Sequence, residues 1–231
     1  MTPIARISTP FTEKFGTPRQ PGLITDAQGV ITFEPEYRNP DALRGLESAS
    51  HLWLIFLFDR NPQDKPWTPT VRPPRLGGNK RLGVFATRSP FRPNPIGLSA
   101  AKIERIDLES PDGPVIHVSG IDLVNGTAIL DIKPYIPYAD SIPEATHPTF
   151  ATAPTPLDLP IEISDEPSAN LLAQDQSLAQ LIEHTLRLDP RPSYHDDPHH
   201  SYGMALANHE IRFRITSAAI VIESITEQSP Q

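Results

Sequence analysis

The residues of this chain best suited to chemistry lie between Arg81 and Ser99, in the run RLGVFATRSPFRPNPIGLS. Pro90, Pro93 and Pro95 freeze the backbone there, so Arg88, Arg92 and Asn94 have little conformational entropy left to lose on binding. Rigid guanidinium and amide donors suit a carboxylate, a phosphate or the edge of a nucleobase. A second rigid element, DIKPYIPY from Asp131 to Tyr138, sets an acid, a base and two aromatic rings around Pro134 and Pro137. Stacking on an unpaired base requires aromatic rings beside basic residues. The competing explanation for the rings is ordinary packing at a strand end.

Other constellations carry less. Gly77-Gly78-Asn79-Lys80 lacks the spacing and the terminal Lys-Ser/Thr of a phosphate loop, and no dinucleotide-type glycine pattern follows a strand. His195-Asp196-Asp197-Pro198-His199-His200 holds metal-capable side chains, but in a polar stretch with no helical or strand spacing to converge them, so no metal is expected. Ser99, Asp131 and a His make a hydrolase triad only on paper, since no nucleophile-elbow sequence surrounds a serine. The absence of Cys excludes disulfides, thiolate zinc sites, iron–sulfur clusters and a cysteine nucleophile.

The charge of −8 argues against a nucleic-acid partner only on average. Residues 1–150 carry 16 basic and 16 acidic side chains, whereas residues 151–231 carry 4 against 12. Within the neutral part, eight basic residues lie between Lys65 and Lys102, with no acid between Asp64 and Glu104. That stripe makes a locally positive field fit for an anionic ligand, RNA above all. A solvated loop pairing with acids elsewhere is the bland alternative.

The elements that must position these groups read as short strands. Ile4 to Ser8 alternates; His51 to Asp59 (HLWLIFLFD) is apolar on both faces, as in a central strand. Val84 to Thr87, Gly97 to Asp107, Val115 to Ile121 and Ala128 to Ile132 continue the series, and Asn125-Gly126 predicts a hairpin joining the last two. Asp41 to Glu47 reads as a short helix. Strands without intervening helices predict a mainly antiparallel barrel or sandwich. A Pro- and Thr-rich stretch from Pro143 to Pro167 predicts a linker, dividing the chain into residues 1–145 and 146–231. Beyond it, Ala169 to Leu188 reads as one amphipathic helix, and His209 to Thr216 with Ala218 to Ile225 as a hairpin, a small α+β unit. No apolar stretch approaches the roughly 18 to 20 residues of a membrane span, and Met1 to Arg6 has no leader-type apolar core, so a soluble cytoplasmic protein is expected.

TPRQPG (17–22), HLWLIFLFD, VRPPRLGGN (71–79), the Arg81 to Ser99 block, DLVNGT (122–127) and DIKPYIPYAD resemble the TsaA-like family of tRNA methyltransferases, also called TrmO, from about Ile4 to Ile142. DPRPSY (189–194) and the hairpin after it resemble the C-terminal extension of bacterial members. The resemblance implies a single β-barrel of the TsaA-like methyltransferase type, with a small α+β extension, that uses S-adenosyl-L-methionine and acts as a homodimer. It implies methylation of the exocyclic nitrogen of threonylcarbamoyladenosine next to the tRNA anticodon. Matched by motif, the cofactor contacts are Arg19, Gln20, Pro21, Phe58, Asp59, Arg88, Leu98, Asp122, Leu123, Val124 and Asn125. Asp131, which opens the rigid DIKPY element, is the candidate general base, with Lys133 orienting the threonyl carboxylate; an ion pair of Asp131 with Lys133 or with an arginine of the Arg81 to Ser99 block is the alternative. Arg72, Arg75, Lys80, Arg81, Arg92, Tyr135 and Arg191 are the candidate contacts to the anticodon loop. A non-catalytic module that binds S-adenosylmethionine or RNA is the rival reading.

Overall fold

Alternating burial builds the strands of the first unit. In the computed structural model, which describes residues 1–60, 67–73, 80–147, 150–192 and 197–228, β1 (Ala5–Ser8) buries Ala5 and Ile7. β2 (Gln28–Phe33) buries Ile31 and Phe33, and β3 (His51–Leu57) buries Leu52, Leu54 and Phe56. β4 (Thr70–Val71) and β5 (Leu82–Gly83) form a short separate hairpin. The long β6 (Ile96–Asp107), β7 (Val115–Ser119) and β8 (Thr127–Pro134) complete a closed antiparallel barrel in the order β1-β2-β7-β6-β3-β8. The expected barrel is therefore present. β3 is central, flanked by β6 and β8, but only one of its faces is fully buried; Trp53, Ile55 and Leu57 stay half-exposed on the other.

Three local expectations give way. The Asn125-Gly126 turn exists, with Gly126 at φ +79°, yet β7 and β8 do not pair with each other. They stand opposite one another in the six-strand ring, because buried Ile121 and Leu123 draw the chain across the barrel end before the turn delivers it to β1 and β3. Val84 to Thr87 is a 3-10 turn over Val84–Ala86, closed by the Thr87 hydroxyl on the Val84 carbonyl at 2.9 Å. Asp41 to Glu47 likewise holds two 3-10 turns, Pro40–Leu43 and Leu46–Ser48, separated by Gly45 at φ +93°.

After the short α1 (Pro137–Asp140), the second unit is a four-stranded sheet in the order β10-β11-β12-β9. It comprises β9 (Ile161–Ile163), β10 (Tyr202–Leu206), β11 (His209–Ile215) and β12 (Ile220–Glu227), with β9 parallel to β12. The predicted hairpin is β11 and β12. The single helix expected from Ala169 to Leu188 is two, α2 (Glu166–Gln174) and α3 (Gln176–Arg187). Asp175 ends the first and caps the second, its carboxylate accepting from the Leu178 amide at 2.9 Å. Leu172, Leu178, Leu181, Ile182 and Leu186 are buried as the spacing requires, and the two units share one apolar core. Among the described residues, no helix is long and apolar enough to cross a membrane.

Candidate active site

A cavity of about 680 Å³ opens at the barrel end where β3 leaves the wall and β6 enters it. The end of β3 supplies Phe56 to Arg60, the start of β6 supplies Ile96 to Ser99, and the segment crossing the barrel end supplies Asp122, Leu123 and Val124. Two loops close the rim, one with Lys14 and Thr17 to Gln20, the other with Thr87, Arg88, Pro90 and Arg92. Gly97 is obligatory here, because a Cβ on it would overlap the Phe56 ring. Phe56 in turn meets Phe58 edge-on, with ring centroids 5.1 Å apart.

The apolar floor carries charge of both signs. Arg88 donates to the Gln20 amide oxygen at 2.5 Å, tying the two rim loops together. Ser99, 2% exposed, donates its hydroxyl to Asp122 at 2.6 Å. Enclosure by protein pushes the Asp122 carboxyl up to about 6, even though the Ser99 bond and the nearby Arg88 pull it down. The residue keeps some accessible surface, yet the close-packed wall around it is what sets its proton affinity.

Of the eleven residues assigned to cofactor by motif, nine line this cavity: Arg19, Gln20, Phe58, Asp59, Arg88, Leu98, Asp122, Leu123 and Val124. Pro21 and Asn125 do not. Asn125 works behind the wall: its amide group accepts from the Thr9 N–H at 3.0 Å, and its own N–H donates to the Phe11 carbonyl at 2.7 Å. Lys14, Arg60, Thr87 and Ser99 join the lining without having been assigned to cofactor. Lys14 and Arg60 flank assigned motifs in the chain, a proximity that was the available signal; their contact, Lys14 Nζ to the Arg60 carbonyl at 3.3 Å, is purely tertiary.

The structure does not bring Asp131 and Lys133 to the cavity. They lie on the outward face of β8, register-paired with Ile55 and Trp53, and bind each other at 2.9 Å. Asp131 also accepts from the Ile132 N–H at 2.9 Å. Tyr135 packs on Trp53 with centroids 5.4 Å apart, so the packing explanation holds for that ring.

The remaining RNA candidates separate. Arg72, Lys80 and Arg81 are exposed; Arg75, His195 and Asp196 lie outside the described residues. Arg92 turns inward and donates to the carbonyls of Val84, Thr87 and Ser89 at 3.2, 2.7 and 3.4 Å, stapling its own loop. Arg191 chelates Asp189 with bonds of 2.8 and 2.9 Å, and its carbonyl accepts from Arg19 at 3.3 Å. No His lines the cavity among the described residues, so Ser99 has no triad there. Nor do those residues contain a group of three or more metal-ligating side chains.

A closed antiparallel barrel with a cavity at one end, lined by arginines, acids and aromatic rings, has the chemistry to suit a small zwitterionic molecule bearing a flat apolar group. Residues 6–141 match the tRNA-methyltransferase O N-terminal domain, and residues 156–228 match the TrmO C-terminal domain. The chain belongs to the TrmO family of tRNA methyltransferases. It is 41% identical to the tRNA (adenine(37)-N6)-methyltransferase of Escherichia coli K12, over 95% of this chain and 94% of that one. A putative S-adenosylmethionine-dependent methyltransferase, RcsF, of Pseudomonas aeruginosa is 44% identical over 89% and 88%. The crystal structure of TrmO from Pseudomonas aeruginosa superposes with a TM-score of 0.76 at 34% identity, covering 97% of this chain and 96% of that one.

Proposed function

We propose that this chain methylates the exocyclic nitrogen of the adenosine beside the tRNA anticodon, on a base that already carries a threonylcarbamoyl group, with S-adenosylmethionine as donor. The observation that carries the reading is the gathering of Arg19, Arg88, Asp59 and Asp122 over an apolar floor in one cavity of about 680 Å³. That volume falls within the roughly 300–1,000 Å³ typical of small-molecule sites. The donor set fits the cofactor: the guanidinium groups of Arg19 and Arg88 suit its carboxylate, the Asp122 and Asp59 carboxylates suit its positive charge, and Phe56, Phe58, Leu98 and Leu123 suit its purine. When bound, S-adenosylmethionine supplies an electrophilic methyl group on a sulfonium.

The chain's own part is chiefly positioning. The acceptor nitrogen lies between an adenine ring and a carbamoyl carbonyl, so its lone pair is delocalised, and alignment lowers the barrier most directly. Arg88 and Gln20 hold the two rim loops in register, and Asp122 meets the positive end of the cofactor with a carboxylate that Ser99 keeps oriented. Asp131 and Lys133 neutralise each other on the outer wall, so neither is assigned a proton or the threonyl carboxylate. We further assign the chain to the cytoplasm, where its tRNA substrate is found, and to a homodimer, and divide it near residue 145 into a cofactor-binding barrel and a C-terminal unit.

The decisive experiment is mass spectrometry of tRNA nucleosides after incubation of the purified chain with S-adenosylmethionine and tRNA bearing threonylcarbamoyladenosine. A gain of one methyl on that nucleoside is expected. Cofactor binding without methyl transfer would instead make the chain a non-catalytic binding module. Methylation of tRNA lacking the threonylcarbamoyl group at the same rate would remove the substrate assignment.

A further inference from the structure

Beside the cavity mouth, two large aromatic rings face solvent. Phe85 is 72% exposed and Trp67 is 50% exposed, and their centroids lie 6.2 Å apart with ring planes 33° from parallel. Burying such rings is favourable, so leaving both open has a cost unless another molecule covers them. Their mounting is rigid. Buried Val84 anchors the 3-10 turn that carries Phe85, and the Val84 N–H donates to the Pro69 carbonyl at 2.9 Å, binding the Trp67 segment alongside. The guanidinium of Arg92 lies 5.8 Å from the centre of the Phe85 ring, and Arg92 is itself locked on three backbone carbonyls and lines the cavity. One side chain therefore separates the cavity from an aromatic surface that has a cation against it.

We propose that Phe85 and Trp67 form a stacking platform for an unpaired nucleobase of the substrate RNA, a neighbour of the base whose nitrogen is methylated. Two observations select a nucleobase over other occupants. The stretch of chain that carries the rings is basic: Arg72, Lys80 and Arg81 are exposed, and no Asp or Glu occurs in the sequence between Asp64 and Glu104. A phosphate backbone can therefore run beside the rings while a base covers them. In addition, buried Val84 and its bond to Pro69 anchor the backbone that carries the rings, which lowers the ordering cost of stacking. The proposal rests on the RNA substrate assigned above and adds the contact that holds the flanking nucleotide.

The test uses the full-length chain, an anticodon stem-loop RNA and a blunt duplex RNA of equal length. Phe85→Ala should weaken stem-loop binding by roughly 5- to 150-fold, the range for loss of one base stack, while duplex binding and cofactor affinity stay within about twofold. Phe85→Tyr should restore stem-loop binding and Phe85→Leu should not, since bulk without an aromatic face does not stack. In a Trp53→Phe chain, where Trp67 is the remaining tryptophan of two, the stem-loop should quench its fluorescence and the duplex should not. Unchanged stem-loop affinity in Phe85→Ala overturns the platform, as does an equal loss for duplex and stem-loop. A change of sedimentation with intact RNA affinity also overturns it, and makes a second copy of the chain the occupant. If wild-type chain binds the stem-loop through Phe85 but transfers no methyl, the enzymatic reading fails and the platform stands.

Discussion

Gly16 and Met204 are packed so closely that a Cβ on Gly16 would overlap the Met204 sulfur. Gly16 sits at φ +86° in the loop that brings Arg19 and Gln20 to the cavity, and Met204 is a buried residue of β10 in the second sheet. The contact is one of several by which that sheet grips the loop. Phe11 bridges to Leu206, the Ala207 N–H donates to the Pro10 carbonyl at 2.8 Å, and the Ala205 N–H donates to the Glu13 carboxylate at 3.0 Å. Phe15 stacks against both Tyr202 and Phe213 at 6.3 Å. The C-terminal unit is thus built into the support of the cavity rim.

Gly16→Ala should consequently lower stability by about 2–4 kcal/mol, from left-handed strain and overpacking together. It should also raise the dissociation constant for S-adenosylmethionine at least about tenfold, because displacement of the loop moves Arg19 and Gln20. Calorimetric titration at a temperature where the variant is folded checks this; normal affinity would show that the rim does not depend on the clamp.

Truncation after Glu144 should damage cofactor binding as well as tRNA methylation. Removing β10 and β11 uncovers Phe11 and Phe15 and releases the loop from its partners. Circular dichroism with a cofactor titration is the check. A folded truncation that binds S-adenosylmethionine as tightly as the whole chain would confine the C-terminal unit to RNA.

Asp122 should give the site a pH dependence of definite sign. Its folded value of about 6 exceeds the ordinary 3.8, so the native state holds the extra proton in between, and free-protein stability falls as pH rises through that window. Positive charge on the cofactor favours the ionised form, so affinity should rise about tenfold from pH 5 to pH 7 and then level off. Asp122→Asn should abolish that dependence and weaken binding at pH 7, while stabilising the free chain by about 1–3 kcal/mol. Titrations at several pH values, with and without the substitution, measure both effects.

Asp131→Asn and Lys133→Met should leave methylation within about threefold of wild type, because an exposed ion pair contributes about 0–1 kcal/mol and neither group reaches the cavity. A hundredfold fall in kcat with unchanged cofactor affinity would return Asp131 to the role of base.

Binding of tRNA should weaken with salt although the chain carries −8 overall. With Arg72, Lys80 and Arg81 exposed and Arg92 turned inward, about three phosphate contacts give a slope of log affinity against log salt near −2. A slope near zero would place the RNA on another surface.

Much of this was legible in the sequence, for local reasons. Alternation marked β1, β6 and β11, because a strand's side-chain period of two is written directly into residue order, and a continuous apolar run marked β3. The resemblance of the motifs around Arg19, Phe58, Arg88 and Asp122 to the family marked most of the cavity lining, and Pro90, Pro93 and Pro95 marked the fixed loop that carries Arg88. What only the tertiary structure decided were relationships between distant segments. The turn at Gly126 is local, but that β8 joins β1 and β3 instead of β7 follows from the burial of Ile121 and Leu123 across the barrel end. Asp131 opens a rigid element in the sequence, yet the strand period turns it outward beside Lys133, away from the cavity. The same arginine type is a loop staple at Arg92, a carboxylate partner at Arg191 and a solvent-facing charge at Arg72, and only the groups that folding places around each guanidinium distinguish these uses.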